Sequence, residues 1–167
     1  DSPSFDTKDI ETILDIGCGL AGIDILINEH YKYSISTYLL DKSEISHKLY
    51  YNFNERGAFY NSLAKSKEFL TENGVNKDRI FLQEATDDNE IKFDIKFDLI
   101  ISIISWGFHY PVSTYLQQAY DKLKSGGTLV IDIRAGTKGE EEIKALFGNC
   151  VVIHRAEKLH RIRAIKK

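Results

Sequence analysis

The chain alternates short apolar runs with stretches in which apolar residues recur every three or four positions, and this alternation most constrains its fold. Runs of the first kind are typical of buried strands, and stretches of the second kind are typical of amphipathic helices. The predicted strands are 12–16, 35–40, 79–83, 97–104 and 128–133. The predicted helices are 20–30, 58–72, 112–123 and 137–147. This order indicates an α/β fold with a parallel sheet and helices on both faces.

A last pair of strand patterns, Val151 to Arg155 and Leu159 to Ile165, flanks a short turn and predicts a hairpin. A hairpin after a parallel sheet would add an antiparallel strand to it. The 167 residues contain no internal repeat and no linker-like stretch, and a chain of this length can bury one substantial core. We therefore expect a single domain over residues 1–167.

Composition narrows the classes of function. The net charge is −3, whereas proteins that bind nucleic acid usually carry a basic face, so we expect no nucleic-acid partner. No apolar run approaches the roughly 20 residues that span a bilayer, which predicts a soluble protein without membrane contact. The two cysteines, Cys18 and Cys150, fit reduced thiols and a cytoplasmic location. No spacing of His, Asp or Glu side chains indicates a metal site.

The first predicted strand runs into a glycine-rich turn, Asp15-Ile16-Gly17-Cys18-Gly19. Ligands of an open parallel sheet bind beyond the carboxyl ends of its strands, and glycines let the backbone approach a ligand closely. Asp41 ends the second strand, 24 residues after Gly17, where a carboxylate can accept hydrogen bonds from both ribose hydroxyls of an adenosine. The turn and the acid together predict a nucleoside site, although a plain tight turn would use the same glycines.

The turn alone does not select the cofactor. Gly17, Gly19 and Gly22 satisfy the dinucleotide pattern G-x-G-x-x-G, which keeps a nicotinamide oxidoreductase open. Asp15 stands two residues before the first glycine, where a buried carboxylate would repel a pyrophosphate and suit a cationic ligand with an amine. We also expect no second domain in which a dehydrogenase could hold its substrate. Both arguments favour the cationic ligand.

The segment Ile13-Leu14-Asp15-Ile16-Gly17-Cys18-Gly19 resembles motif I of the class I S-adenosylmethionine-dependent methyltransferases. The resemblance extends over nearly the whole chain. Asp41 matches the acidic ribose ligand of that family, and Glu84-Ala85 matches its adenine-side pair. Residues 97–100 (FDLI) match its fourth strand, and residues 123–129 (LKSGGTL) match the turn into its fifth strand. The resemblance implies a Rossmann-like, doubly wound, seven-stranded sheet, mostly parallel with an antiparallel C-terminal strand.

A chain of this family would be a methyltransferase with S-adenosylmethionine as its cofactor. The residues that the resemblance assigns to the cofactor are Asp15, Gly17, Cys18, Gly19, Asp41, Lys42, Glu84, Ala85, Ser102 and Ile103. The glycine turn would hold the methionine part, Asp41 the ribose and Glu84 the adenine edge. For Glu84, an acid in a solvated loop is the alternative interpretation.

The segment after the fourth strand, residues 105–111 (SWGFHYP), is the expected acceptor side of the site. His109 could take the proton of an alcohol acceptor, or it could be a structural histidine within the loop. The aromatic residues that we expect to surround the acceptor, with plain packing as the alternative, are Trp106, Phe108, Tyr110, Tyr51 and Phe53. The last two lie in a long segment that would close over the cofactor or acceptor.

O-methylation of a small molecule is the leading predicted chemistry. Residues 105–111 are similar to a segment of bacterial methyltransferases in sugar or capsule-polysaccharide biosynthesis, which implies a sugar or nucleotide-linked phosphate acceptor. N-methylation of a small amine and a cofactor-binding subunit without catalysis stay open. Asp132 and Arg134 end the fifth strand and are predicted to form a structural ion pair, with assistance to a metal or an acceptor by Asp132 as the alternative.

Overall fold

A computed structural model describes residues 10–45 and 60–167 of the chain. The strands of this part are β1 (Thr12–Ile16), β2 (Ser36–Asp41), β3 (Glu44–Ile45), β4 (Tyr60–Asn61), β5 (Ile80–Glu84), β6 (Phe97–Ser102), β7 (Ser105–Tyr110), β8 (Leu123–Arg134), β9 (Cys150–Arg155) and β10 (Leu159–Ile165). The helices are α1 (Gly22–His30), α2 (Leu63–Glu72), α3 (Leu116–Lys122) and α4 (Gly139–Phe147). Short 3-10 turns cover Lys77–Arg79 and Val112–Thr114.

Seven strands form one sheet in the order β5-β2-β1-β6-β8-β10-β9. The five strands from β5 to β8 pair in parallel, and β10 is antiparallel to both of its neighbours. The predicted fold class is therefore confirmed, with the C-terminal strand of the hairpin inserted between β8 and β9. β3 and β4 form a separate two-stranded ladder.

Two apolar cores hold helices against this sheet. The larger core joins the sheet to α3 and α4 and includes Leu129, Ile131, Ile143 and Phe147. The smaller core includes Leu39, Leu70 and Ile80 and joins the sheet to α2. Among the described residues, no helix combines the length and the hydrophobicity that crossing a bilayer requires.

The first helix turns its polar side to the sheet. Leu20, Ile23 and Leu26 recur at helical spacing, yet their side chains are 53%, 39% and 60% exposed. Asp24 and Asn28 are completely buried instead. Asn28 Nδ2 donates to Thr37 Oγ1 of β2 at 2.9 Å, and this bond fixes the rotation of the helix. The periodicity thus predicts the helix correctly, while its apolar stripe faces away from the smaller core.

The segment from 97 to 134 differs most from the expected pattern. The predicted strand 97–104 ends at Ser102, because Ile104 adopts a left-handed turn with a φ of 51°. Residues 105–110, predicted as a loop, form β7, which packs against β8. The predicted helix 112–123 is a 3-10 turn followed by the shorter α3. The predicted turn at 125–127 lies inside β8, where the pairing with β6 shifts register.

The predicted ion pair between Asp132 and Arg134 is wrong. Asp132 is completely buried and binds Arg161 of β10 through two hydrogen bonds, at 2.7 and 2.9 Å. Arg161 of β10 lies directly opposite Asp132 of β8 in the antiparallel pairing, so the two side chains share one face of the sheet at short range. Arg134 Nε donates instead to the carbonyl oxygen of Phe108 at 3.1 Å.

Hydrogen bonds to Asp98 join the amino end of β1 to the start of β6. Its Oδ2 accepts hydrogen bonds from the Glu11 N–H, from the Thr12 N–H and hydroxyl, and from Lys124 Nζ. Burial disfavours the ionised form, but the bonds from Lys124, Glu11 and Thr12 outweigh it, so the pKa of the Asp98 carboxyl lies below its usual value. The carboxylate therefore stabilises the central strand pair in its ionised form.

Asp98→Ala should lower the free energy of unfolding by about 2 kcal/mol at pH 7, because several donors lose a charged acceptor. The lowered pKa means that this stabilisation is present above the unfolded-state pKa of about 3.9 and is lost as the pH falls through the folded-state value. Urea unfolding of both proteins at pH 7 and below pH 4 measures the difference. A difference in the free energy of unfolding that stays the same below pH 4 would contradict the role of the ionised carboxylate.

Candidate functional site

A cavity of about 330 Å³ opens at the carboxyl ends of the central strands. Its wall combines Gly17 after β1, Asp41 at the end of β2, Ala85 after β5 and Trp106 after β6. A second, larger groove of about 680 Å³ includes Ile10 and Gly126 and lies at the amino end of β1. Ligands of open α/β sheets bind at the carboxyl edge, so the smaller cavity is the candidate site.

Asp41 is the centre of the hydrogen-bond network at the cavity. Its Oδ2 accepts the Gly19 N–H at 2.7 Å, and its Oδ1 accepts the N–H of Lys42 at 2.7 Å. The carbonyl oxygen of Asp41 accepts the Ala85 N–H at 2.8 Å. Asp41, Lys42 and Ala85, three of the positions that were expected to bind a cofactor, all line the cavity. A carboxylate only accepts hydrogen bonds, which is the chemistry that ribose hydroxyls require of a partner.

The glycine turn is held from both sides. The Gly17 N–H donates to the carbonyl oxygen of Leu40 at 2.7 Å, and the Ser66 hydroxyl donates to that of Gly19 at 2.7 Å. Both glycines have positive φ angles, 79° and 55°. Cys18 is buried between them, and burial together with the nearby carboxyls raises the pKa of its thiol. A neutral thiol at this place acts as a small apolar side chain.

Asp15 lies behind the turn rather than in the cavity wall. Its side chain is 2% exposed and faces Asp24 of α1, which is completely buried. Burial raises the pKa of Asp15 well above its usual value, and the charge of Asp24 raises it further. Gly17 lines the cavity and Asp15 does not, so the predicted contact of Asp15 with a cofactor stays a prediction.

Glu84 and Ser102 make structural hydrogen bonds at the edge of the site. Glu84 accepts bonds from the backbone N–H and the hydroxyl of Ser43, the latter at 2.8 Å. The Ser102 hydroxyl donates to the carbonyl oxygen of Ile16 at 2.7 Å and so ties β6 to the end of β1. Neither residue lines the cavity, and Ile103 next to Ser102 does not line it either. Their predicted cofactor contacts stay predictions.

On the acceptor side, Trp106 and Tyr110 line the cavity, whereas Phe108 and His109 do not. Trp106 is buried, with its Nε1 donating to the carbonyl oxygen of Val112 at 2.8 Å, so its ring is a fixed wall. Tyr110 is 60% exposed at the mouth. His109 is exposed on β7, and its ring meets that of Phe108 edge to face, with centroids 5.1 Å apart. Tyr51 and Phe53 lie outside the described residues.

Several cavity residues escaped the sequence-based prediction. They are Leu40, Thr86, Asp87, Asn89, Ser105, Thr114 and Tyr115. Thr86 and Asp87 follow β5 directly, so the polar loop after a strand could have indicated them. Tyr115 carried no such signal, because it stands in the predicted helix 112–123. Burial, followed by the charges of Tyr110 and Asp41, raises the pKa of its hydroxyl, which therefore stays protonated at neutral pH.

Within residues 10–45 and 60–167, no group of three or more His, Cys, Asp or Glu side chains could hold a metal ion. Both cysteines are free thiols, with Cys18 buried and Cys150 partly buried. The site therefore offers a glycine turn, an acid at its rim, a buried acid pair behind it and an aromatic wall.

No profile of a known protein family matches the sequence, and no curated protein sequence matches it significantly. Solved structures do share the fold. The 16S rRNA N2 G1207 methyltransferase of T. thermophilus, in complex with AdoMet and guanosine, has a TM-score of 0.66 at 15% identity, over 93% of this chain and 37% of its own. PigF with SAH has a TM-score of 0.64 at 18% identity, over 98% of this chain and 52% of its own.

The precorrin-6y C5,15-methyltransferase of Geobacter metallireducens is a third neighbour, with a TM-score of 0.62 at 15% identity over 97% of this chain and 83% of its own. At such identities the likeness establishes the fold. The chain spans only about a third to a half of the length of the first two neighbours, at 37% and 52%.

Proposed function

We propose that this chain is an S-adenosylmethionine-dependent methyltransferase that acts on a small-molecule acceptor. One observation carries the proposal. A cavity lies between a glycine turn and Asp41, at the carboxyl edge of a fold shared with structures solved with AdoMet or SAH. The activity, the cofactor and a cytoplasmic location of this chain are parts of the proposal.

The described residues fit this cofactor in size, hydrogen bonding and charge. A volume of about 330 Å³ lies within the range of small-molecule sites. Asp41 can accept bonds from ribose hydroxyls at the rim, and the wall at Gly17 has no side chain. Asp15 and Asp24 add acidic groups behind the turn. This arrangement suits a cationic sulfonium nucleoside and opposes the pyrophosphate of a dinucleotide.

When bound, S-adenosylmethionine would supply a methyl group on a positively charged sulfur for an in-line displacement. The chain contributes mainly by alignment of the acceptor, which is worth several kcal/mol. Trp106, Tyr110 and Tyr115 line the same cavity as Asp41, so an acceptor can lie against aromatic rings beside the cofactor. The protonated Tyr115 hydroxyl donates to Asn89 Oδ1 at 3.4 Å, and it can instead donate a hydrogen bond to the acceptor.

As the base for an alcohol acceptor we propose His109, which stands on β7 between the cavity residues Trp106 and Tyr110 without lining the cavity itself. O-methylation is therefore the chemistry that we favour, with N-methylation of a small amine as the alternative. The neighbours give no support to the sugar or nucleotide-linked phosphate acceptor of capsule biosynthesis that residues 105–111 suggested. One neighbour holds guanosine, but the net charge of −3 favours a small molecule over RNA as the acceptor of this chain.

Asp41→Ala tests the proposed cofactor site. We expect the affinity for S-adenosylhomocysteine to fall at least tenfold, or by about 1.4 kcal/mol or more, because a charged acceptor for two hydroxyls is lost. Calorimetric titration measures the change.

Asp94→Ala is the matched control, since Asp94 is an acid at an exposed loop position outside the cavity wall. We expect it to change the affinity by less than about threefold, as befits an exposed charge. Thermal unfolding of Asp41→Ala without ligand separates a binding defect from a folding defect. Unchanged affinity in a folded Asp41→Ala protein would show that the ribose assignment is wrong.

A further inference from the structure

A polar layer lies between β1 and α1, where an apolar core would be expected. Its members Asp15, Asp24, Asn28 and Thr37 are all 2% exposed or less. Asn28 Nδ2 donates to the backbone carbonyl oxygen of Asp24 and to Thr37 Oγ1, both at 2.9 Å. Buried carboxyl groups without partners are costly, so a layer of this kind requires a compensating interaction.

The two carboxyl groups of the layer face each other. One oxygen of Asp15 and both side-chain oxygens of Asp24 are buried, and no donor among the described residues reaches them in hydrogen-bonding geometry. The two groups can bond to each other only when one of them carries a proton. Burial raises the pKa of Asp15 strongly and that of Asp24 to about 7. Two adjacent buried carboxyls cannot both ionise readily, so the pair retains one proton.

The pair stands directly against the candidate cofactor site. Asp15 precedes Gly17 by two residues, and Asp24 lies in the first turn of the helix that follows the glycines. The charge of Asp15 acts on the Cys18 thiol within the turn, as does the charge of Asp24. A positive charge placed on the turn would act on the pair in the same way, with the opposite sign.

We propose that Asp24 is a positioning residue for cofactor binding: it shares a single proton with Asp15 behind the glycine turn, and the cationic cofactor expels this proton to solvent when it binds. The ionised pair then faces the cofactor with one more negative charge. This inference rests on the proposed function, because it takes the ligand to be a sulfonium cation. It gives the acid of α1 a part in binding, although Asp24 itself does not line the cavity.

The charge of the nearby acid favours the protonated form of the pair. Asp41 of β2 acts on Asp15 and raises its pKa, and the Cys18 thiol stays neutral. α2 presents the buried Ser66 to the turn. Among the described residues, no Lys, Arg or His forms an ion pair with Asp15 or Asp24. Within the described part of the chain, no such pair supplies a positive charge that could release the proton, whereas a cationic ligand on the turn would supply it.

Asp24→Asn tests the inference, because asparagine keeps the shape of the side chain and can donate a hydrogen bond to an ionised Asp15. In the unchanged protein, affinity for S-adenosylmethionine should rise by about threefold to tenfold from pH 6 to pH 8, since binding releases a proton. In Asp24→Asn the change over this range should stay below about twofold. Calorimetry in buffers of different ionisation enthalpy counts the released protons directly, and it applies to the unchanged protein even if the variant fails to fold.

S-adenosylhomocysteine, which lacks the sulfonium charge, is the ligand control and should release fewer protons. Asp94→Asn removes a carboxylate from an exposed loop position and is the matched control variant, which should behave as the unchanged protein does. Binding of S-adenosylmethionine without proton release, or the same pH dependence in Asp24→Asn, would overturn the inference and leave the proposed function intact.

A measurement without cofactor separates a failure of the shared proton from a failure of the proposed function. Since the pKa values of the pair are raised in the folded state, its contribution to stability is fully present below the unfolded-state pKa of about 3.9 and is lost as the pH rises through about 7. The melting temperature of the unchanged protein should therefore fall more steeply from pH 5 to pH 8 than that of Asp24→Asn. If neither S-adenosylmethionine nor S-adenosylhomocysteine binds, the proposed function is wrong, and so is the role of Asp24 in cofactor binding. Parallel melting profiles would refute the shared proton itself.

Discussion

Gly17→Ala is expected to reduce the affinity for S-adenosylhomocysteine more than about a hundredfold and to lower the free energy of unfolding by about 3 kcal/mol. Two causes act together. The residue has a φ of 79°, which costs an alanine about 1 kcal/mol, and the added Cβ would overlap the side chain of Ser105 at the start of β7. Because Cβ of Ser105 cannot rotate away, the turn or β7 must move, and both belong to the cavity wall. Urea unfolding and calorimetric titration measure the two effects.

Gly19→Ala is the matched control for stability. Gly19 also has a positive φ, 55°, but apart from its chain neighbours none of the described residues comes within 4 Å of the added Cβ. Its free energy of unfolding should fall by only about 1 kcal/mol. The double variant Gly17→Ala with Ser105→Gly removes the overlap and should recover the stability of Gly19→Ala. Equal stabilities of the two single variants would contradict the close approach of the turn to Ser105.

His109→Gln is expected to lower kcat for an alcohol acceptor about a hundredfold, within the usual contribution of a positioned base. The affinity for S-adenosylhomocysteine should change less than about twofold, because His109 is exposed and does not line the cavity beside Asp41. The separation of kcat from cofactor affinity is the signature of a group that acts on the acceptor. Steady-state kinetics on an acceptor found by screening, together with the titration, measure both quantities.

The same substitution at His154, an exposed histidine of β9, is the control and should leave both quantities unchanged. Full turnover in His109→Gln would contradict the proposed role and leave the proton of the acceptor to solvent or to another group. A parallel loss of cofactor affinity would mean that β7 had moved.

The strands of the large sheet were predictable within about two residues, except that β8 begins five residues before the predicted position 128 because the expected turn at 125–127 belongs to it. Periodicity also identified α1 but not the side that it buries. The polar side of α1 faces the sheet because Asn28 bonds to Thr37 and Asp24 faces Asp15, and such pairs exist only after the chain has folded. β7 was predicted as a loop because its sequence, SWGFHY, contains a glycine. Its aromatic content could have indicated a strand.

The cofactor side of the site could be predicted better than the acceptor side, for a topological reason. Parallel strands bring their carboxyl ends to one edge, so residues that follow strands, such as Gly17, Asp41 and Ala85, meet there whatever the loops do. Tyr115 and Asn89 reach the cavity through a 3-10 turn and a loop, and no spacing rule relates them to the strands. The position of His109 could not be predicted either, because it is set by β7, a strand that no sequence motif indicated.

Whether the turn from Asp15 to Gly19 faces a sulfonium nucleoside is tested most directly by calorimetric titration of the chain with S-adenosylmethionine and with NADH. We expect saturable binding of S-adenosylmethionine, weakened by Asp41→Ala, and no binding of NADH at the same concentrations. Binding of NADH together with a failure to bind S-adenosylmethionine would contradict this assignment, because the acids behind the turn would then tolerate the pyrophosphate that they are expected to repel.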